Sequence, residues 1–143
     1  MYKITETFKD YNGVSRTEDF YFNLNTDELA KLQLSEYGGL DEMLKVIIQK
    51  KDVPKMIKIF ELIIDKSYGV RSADGRNFYK EEQKPGILAD FKSTIAYSQI
   101  FTRFATNSEF TSEFIKGIIP EDASELLSEK ETKDKIVDIK PVV

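Results

Sequence analysis

Apolar and polar residues alternate along residues 2–24, and from residue 25 the apolar positions recur every three or four residues. The chain therefore opens as strand and continues as helix. Tyr2, Ile4 and Phe8 alternate with Lys3, Thr5, Thr7 and Lys9, while Phe20, Phe22 and Leu24 alternate with Asp19, Tyr21 and Asn23. Glu6 is the exception on the apolar side. Asn12-Gly13 lies between the two runs and marks a hairpin turn. A two-residue loop there pairs Lys3 with Phe22 and puts the two apolar sets on opposite faces, which a one-sided sheet does not tolerate. A three-residue loop, Tyr11-Asn12-Gly13, pairs Ile4 with Phe20 and restores one apolar face. Gly13 then takes the left-handed conformation of a bulge. The register sets Glu6 opposite Glu18, a mildly unfavourable pair.

Asn25-Thr26-Asp27-Glu28 reads as a capping box opening a short helix with Leu29, Leu32 and Leu34 on its apolar face and Gly38-Gly39 at its end. Leu40, Met43, Leu44, Ile47 and Ile48 trace the apolar face of a second helix. The most apolar segment is 53–68, where Lys55, Lys58, Glu61 and Asp65 form a narrow polar stripe, so it predicts a central helix capped by Asp52 with Pro54 in its first turn. Residues 69–84 read as a loop with a short strand at Asn77-Phe78-Tyr79. Pro85-Gly86 restarts the helical pattern, with Ile87, Leu88 and Phe91 on one face. Tyr97, Ile100, Phe101, Phe104 and Ala105 form another face. Thr106-Asn107-Ser108-Glu109 offers a capping box for a last helix carrying Phe110, Phe114, Ile115 and Ile118, which Pro120 ends.

The 143-residue length suits one folded unit, and 41% hydrophobic with 32% charged residues lies in the globular range. Residues 121–143 differ: seven acidic and four basic residues and no aromatic, a net charge of −3 that leaves −1 for residues 1–120. That composition predicts a mobile tail, with a short helix over Ala123 to Leu127. The reading is thus an α+β, predominantly α-helical fold: an N-terminal β-hairpin on a bundle of about five or six helices, residues 1–120, and a charged tail over 121–143. Ile136-Val137-Asp138-Ile139-Lys140-Pro141-Val142-Val143 in the tail reads either as a docking strand for a partner's sheet edge or as unselected sequence.

There is no Cys and no His. Disulfides, thiol nucleophiles, Cys-based zinc sites and Ser-His-Asp or Cys-His catalytic sets are excluded within this chain. The Ser72-Ala73-Asp74-Gly75-Arg76 segment lacks both the Gly spacing and the Lys of a phosphate loop and the alternating acids of a calcium loop, and reads as a turn with Gly75 at positive φ. The aromatics of 97–114 lack the interleaved Lys and Arg of a nucleic-acid surface and read as a core stripe, and the net charge of −4 agrees. No catalytic residue, cofactor or metal is expected, nor any nucleic-acid or membrane partner. The N-terminus lacks the apolar stretch of a signal peptide, and no run approaches the ~20 apolar residues of a membrane span, so a cytoplasmic protein is expected.

Six segments taken together carry a resemblance: Phe20-Tyr21-Phe22-Asn23-Leu24, Tyr37-Gly38-Gly39-Leu40, Ile64-Asp65-Lys66-Ser67-Tyr68-Gly69, Ser72-Ala73-Asp74-Gly75-Arg76-Asn77-Phe78, Thr94-Ile95-Ala96-Tyr97-Ser98-Gln99-Ile100-Phe101 and Phe114-Ile115-Lys116-Gly117-Ile118-Ile119-Pro120. In order and combination they resemble the tail assembly chaperones of siphophages and related prophages, over the region ending at Pro120. The resemblance implies a non-enzymatic protein of the bacterial host cytoplasm. Such a protein binds the long helical tape measure protein, keeps it soluble, helps recruit tail tube subunits and is absent from the finished virion. It also implies that this chain is the shorter of two forms if a frameshifted product exists. Exposed members of the faces formed by Tyr97, Ile100, Phe101, Phe104, Phe110, Phe114 and Ile118 are the expected partner contacts, with self-association a further expectation. The rival reading is a structural tail or head-completion component retained in the virion.

Overall fold

The computed structural model describes residues 1–35 and 37–120. Strands β1 (Tyr2–Lys9) and β2 (Ser15–Phe22) form the expected hairpin. Ile4 stands opposite Phe20 and Glu6 opposite Glu18, the register that the three-residue loop requires. Gly13 has φ 79°. Asp10 locks the turn: its carboxylate accepts from the amides of Asn12 and Val14, each at 2.9 Å, and from Arg16 Nε at 2.9 Å. The Arg16 hydrogen bond foremost, then those amides, hold the Asp10 carboxyl below the usual range.

The hairpin is half of a larger sheet. Residues 68–79, expected to be mostly loop, contribute β3 (Tyr68–Arg71) and β4 (Phe78–Tyr79), and the order is β1-β2-β3-β4 with every pairing antiparallel. Tyr68-Gly69-Val70-Arg71 is too short to show a period on its own. It becomes a strand because β2 offers Tyr21 and Phe22 as partners. Gly69 is required there. A Cβ at that position would lie 2.7 Å from the Tyr79 carbonyl and 2.6 Å from the Phe78 ring. The turn between β3 and β4 has Gly75 at φ 76°, as expected. Ser72 Oγ donates to Asp74 at 2.7 Å and lowers its carboxyl pKa, with help from the Arg76 amide.

Six helices are described: α1 (Thr26–Leu32), α2 (Leu40–Gln49), α3 (Val53–Ser67), α4 (Ile87–Lys92), α5 (Ile95–Thr106) and α6 (Ser108–Ile118). The Glu28 side chain accepts from the Asn25 amide at 2.9 Å, closing the α1 cap. Asp52 accepts from the Lys55 amide at 3.1 Å and caps α3, whose first turn holds Pro54. Two boundaries differ from expectation. Helix α1 stops at Leu32, so Leu34 leaves the apolar face and is 88% exposed, while Gly39 opens α2 instead of ending α1. The α6 cap is Asn107, whose side chain accepts from the Phe110 amide, because Thr106 is still helical and its hydroxyl donates back to the Thr102 carbonyl.

The core lies between the inner face of the sheet and the helices. Phe22 is fully buried, with the rings of Tyr68, Phe91 and Phe114 between 5.1 and 5.9 Å from its own. Tyr68 stacks on Phe91 at 4.3 Å. Strand β2 is thereby tied to β3, α4 and α6 through one aromatic cluster, the arrangement that gives aromatic pairs energy beyond area burial.

Candidate interaction surface

Among the described residues no group of three metal-ligating side chains occurs, and no helix is long and apolar enough to cross a membrane. Two charged clusters are enclosed, and each is internally paired. Glu6, the exception in the β1 alternation, points inward and is 3% exposed. Arg103 Nη2 of α5 donates to both its oxygens at 2.8 Å, and Gln99 Nε2 adds a bond at 2.7 Å. Gln99 also donates to the Thr7 carbonyl at 3.1 Å. An inward charge of this kind guards an edge strand against pairing with foreign strands. Lys80 Nζ donates to Glu28 at 2.7 Å and to the Lys66 carbonyl at 2.7 Å, beside a polar hollow of about 430 Å³. Burial lowers the Lys80 pKa and Glu28 opposes that shift. These contacts tie α1, the end of α3 and the residue after β4 together.

The seven side chains expected at the partner interface divide. Ile100, Phe104, Phe114 and Ile118 are core, each at most 4% exposed, so a partner cannot reach them in this conformation. Helical spacing identified their apolar face correctly but not what covers it: the sheet and α3 do. Tyr97, Phe101 and Phe110 are half-buried at the margin of the core. The Tyr97 phenol is pushed up to about 12, by burial first and then by Asp65 and Glu61 nearby. The Arg103 guanidinium sits 5.0 Å above the Phe110 ring.

The apolar surface that stays open lies elsewhere. Leu40, Met43 and Ile47 turn α2 toward the core, and Leu44 and Ile48, one step round the helix, are left beside it. Ile48 is 43% exposed. With Glu109, Ser112 and Glu113 of α6 these residues wall a cleft of about 440 Å³, with Lys50 and Lys116 at its rim. Leu40, Met43, Leu44, Ile47 and Ile48 read as one core face in sequence. The stripe is wider than the core contact needs, and that excess width is the signal of an outward surface. Beyond the cleft, Lys51, Lys55 and Lys58 are exposed as well, so the stretch from Lys50 into α3 presents four exposed cations. Lys50 adopts φ 54°, a left-handed geometry that glycine accepts without strain.

Fold and surface together define an α+β domain whose open features are an apolar cleft and a stretch of exposed cations, suited to binding another chain. The family model for phage tail assembly chaperones matches residues 1–140, and the chain belongs to that family. Membership places it in phage tail assembly, with tail proteins as partners. The match runs past Pro120, so most of the charged tail lies inside the family's extent and not outside it, as the sequence segments had suggested. Comparison with curated proteins and with solved structures gave no match. The expected tail helix and docking strand fall outside the described residues.

Proposed function

We propose that the protein binds the tape measure protein of its phage, hides the apolar face of that long helix until the tube encloses it, and helps to bring tail tube subunits to it. Family membership with an open apolar cleft between α2 and α6 is the observation that carries this reading. An amphipathic helix docks into such a groove through side chains at i, i+3, i+4 and i+7. The cleft is shallow and its apolar wall is short, so each copy binds weakly. Many copies along one long helix then hold it by avidity and release it when tube subunits compete. Tyr97, Phe101 and Phe110 add contacts at the core margin in this proposal. The work is done in the host cytoplasm of a siphophage or prophage, without catalysis. The test is co-purification of the tape measure protein with the wild type and with a Leu44→Asp/Ile48→Asp variant. Ile48 is exposed and Leu44 half-buried against the core, so the variant is compared with wild type by circular dichroism and thermal unfolding, and Ile48→Asp alone serves if the double variant is destabilised. Loss of the tape measure protein from the variant alone supports the cleft. Equal recovery would move the contact to another face.

A further inference from the structure

We infer that the open half of β2, from Ser15 to Phe20, is a docking edge that takes up a basic, extended segment of a partner protein as an added strand. The pairing pattern leaves a place for it. Strand β1 runs beside β2 along its whole length, from Tyr2 opposite Phe22 to Lys9 opposite Ser15. Strand β3 pairs with β2 at Tyr21 and Phe22, and its Val70 and Arg71 then turn to Tyr79 and Phe78 of β4. Among the described residues, Ser15 to Phe20 therefore have a neighbouring strand on one side alone. In an antiparallel ladder the backbone groups of alternate residues face the same side. The Asn23 amide donates to the Ser67 carbonyl at 2.8 Å, and Tyr21 pairs with Gly69, both on the β3 side. Asp19, Thr17 and Ser15 share that parity, so their N–H and C=O groups face the open side. Gln99 of α5 agrees: it reaches the Thr7 carbonyl from beyond β1, so Thr7 turns away from β2 and its partner Thr17 away from β1. Ser15, Thr17 and Asp19 are exposed, and a hollow of about 490 Å³ lies between residues 19–21 and the turn at 70–75.

Charge sets the chemistry of the occupant. The two hollows along this edge carry five acids, Asp10, Glu18, Asp19, Asp74 and Asp90. Their cations are Arg16 and Arg71, and both are engaged. Arg16 contacts Asp10 at 2.9 Å and Glu18 at 3.4 Å, and Arg71 donates to the Tyr21 hydroxyl at 3.0 Å while lying over its ring. These groups sum to −3, whereas the rest of residues 1–120 sums to +2. Glu18 stands opposite Glu6 and so shares its inward face, but Glu6 is held by Arg103 and Gln99. Asp90 of α4 lies close by, since its charge and that of Glu18 both act, after burial, on the Tyr68 phenol and raise its pKa. An inward acid repels an apolar strand and is met by the Lys or Arg of a basic one. Main-chain bonds then give affinity, and alternate side chains give selectivity. This edge shares no residue with the α2–α6 cleft, so the inference does not rest on the function proposed above.

The probe is a short labelled peptide of alternating Lys and Thr, and its control alternates Glu and Thr. Fluorescence anisotropy reads binding to the full chain, and amide hydrogen exchange by NMR reads the place. The Lys-Thr peptide alone should bind, and the Thr17 and Asp19 amides, fast in the free chain, should exchange at least about ten-fold more slowly in the complex. Glu18→Gln/Asp90→Asn should weaken binding about ten-fold. Thr17→Pro removes an outward N–H at an edge position that accepts proline, and should abolish binding. If that variant fails to fold, exchange in the wild type carries the test. Slow exchange of Thr17 and Asp19 in the free chain would overturn the proposal, because the edge would already be covered. Binding that leaves their exchange unchanged would overturn it too, since charge alone would then hold the peptide. Equal binding of the Glu-Thr control, or no binding of the Lys-Thr peptide at about 1 mM, has the same consequence.

Discussion

Replacing Arg103 by Leu tests the account of the inward charge at Glu6. The Glu6 carboxylate is 3% exposed and takes two contacts of 2.8 Å from the guanidinium, so Arg103→Leu leaves it with Gln99 alone. Removing one partner of a buried pair costs about 3–5 kcal/mol. The Arg103 side chain is 35% exposed, so water can follow into the space it vacates, and the low end, about 3 kcal/mol, applies. Leucine keeps the aliphatic packing near Phe110, so little of the loss comes from the ring contact. Glu6→Leu is a different perturbation. It removes the group that needs a partner, and the part-exposed Arg103 hydrates in its absence, so the loss stays within about 1 kcal/mol. The double variant should sit near Glu6→Leu, well above Arg103→Leu, a coupling of about 3 kcal/mol. Urea midpoints at pH 7, followed by far-ultraviolet circular dichroism with the slope checked for constancy, give all three values. If the double variant were as unstable as Arg103→Leu, or if Arg103→Leu stayed within about 0.5 kcal/mol of wild type, the buried-charge reasoning would be refuted.

Phe22→Ala should cost about 3–5 kcal/mol, because it empties the centre of the aromatic cluster joining β2, β3, α4 and α6; thermal unfolding reads it. Gly69→Ala should destabilise through its clash with the Tyr79 carbonyl and separate β3 from β4, seen as faster amide exchange in both strands. Lys50→Gly should gain about 1 kcal/mol in urea unfolding by relieving the left-handed backbone. The Tyr97 phenol has its folded pKa raised from 10.0 to about 12, so its share of stability is complete below pH 10 and is lost as the pH rises toward 12. Tyr97→Phe should therefore flatten the fall in unfolding midpoint across that window, and identical pH profiles for the two proteins would contradict the assignment.

The hairpin was legible because two constraints met: alternation fixed the faces, and only a three-residue loop with Gly13 reconciled them. Glu6 was visible as an exception but not explicable, since Arg103 and Gln99 lie more than ninety residues away. Strand β4 was legible as the short strand expected at Asn77-Phe78-Tyr79, but β3 was hidden for a related reason. Its four residues carry no readable period, and its stability comes from β2 and from the close approach at Gly69. The helices were legible from spacing, and Asn25 and Asp52 marked where two of them start. Their outward faces were not, because an apolar stripe is the same in sequence whether a sheet or a partner covers it. Ile100, Phe104, Phe114 and Ile118 went to the core, while on a similar stripe Ile48 stayed outside and Leu44 half-buried at its margin. The family relation was legible from dispersed segments because their order, not any one of them, carries the information.

The measurement that bears most directly on the central claim is the soluble fraction of the tape measure protein from the same genome, expressed with and without this chain. The account predicts that the tape measure protein stays in the supernatant and co-purifies when the chain is present, and precipitates when it is absent. Equal precipitation in both cases would contradict it.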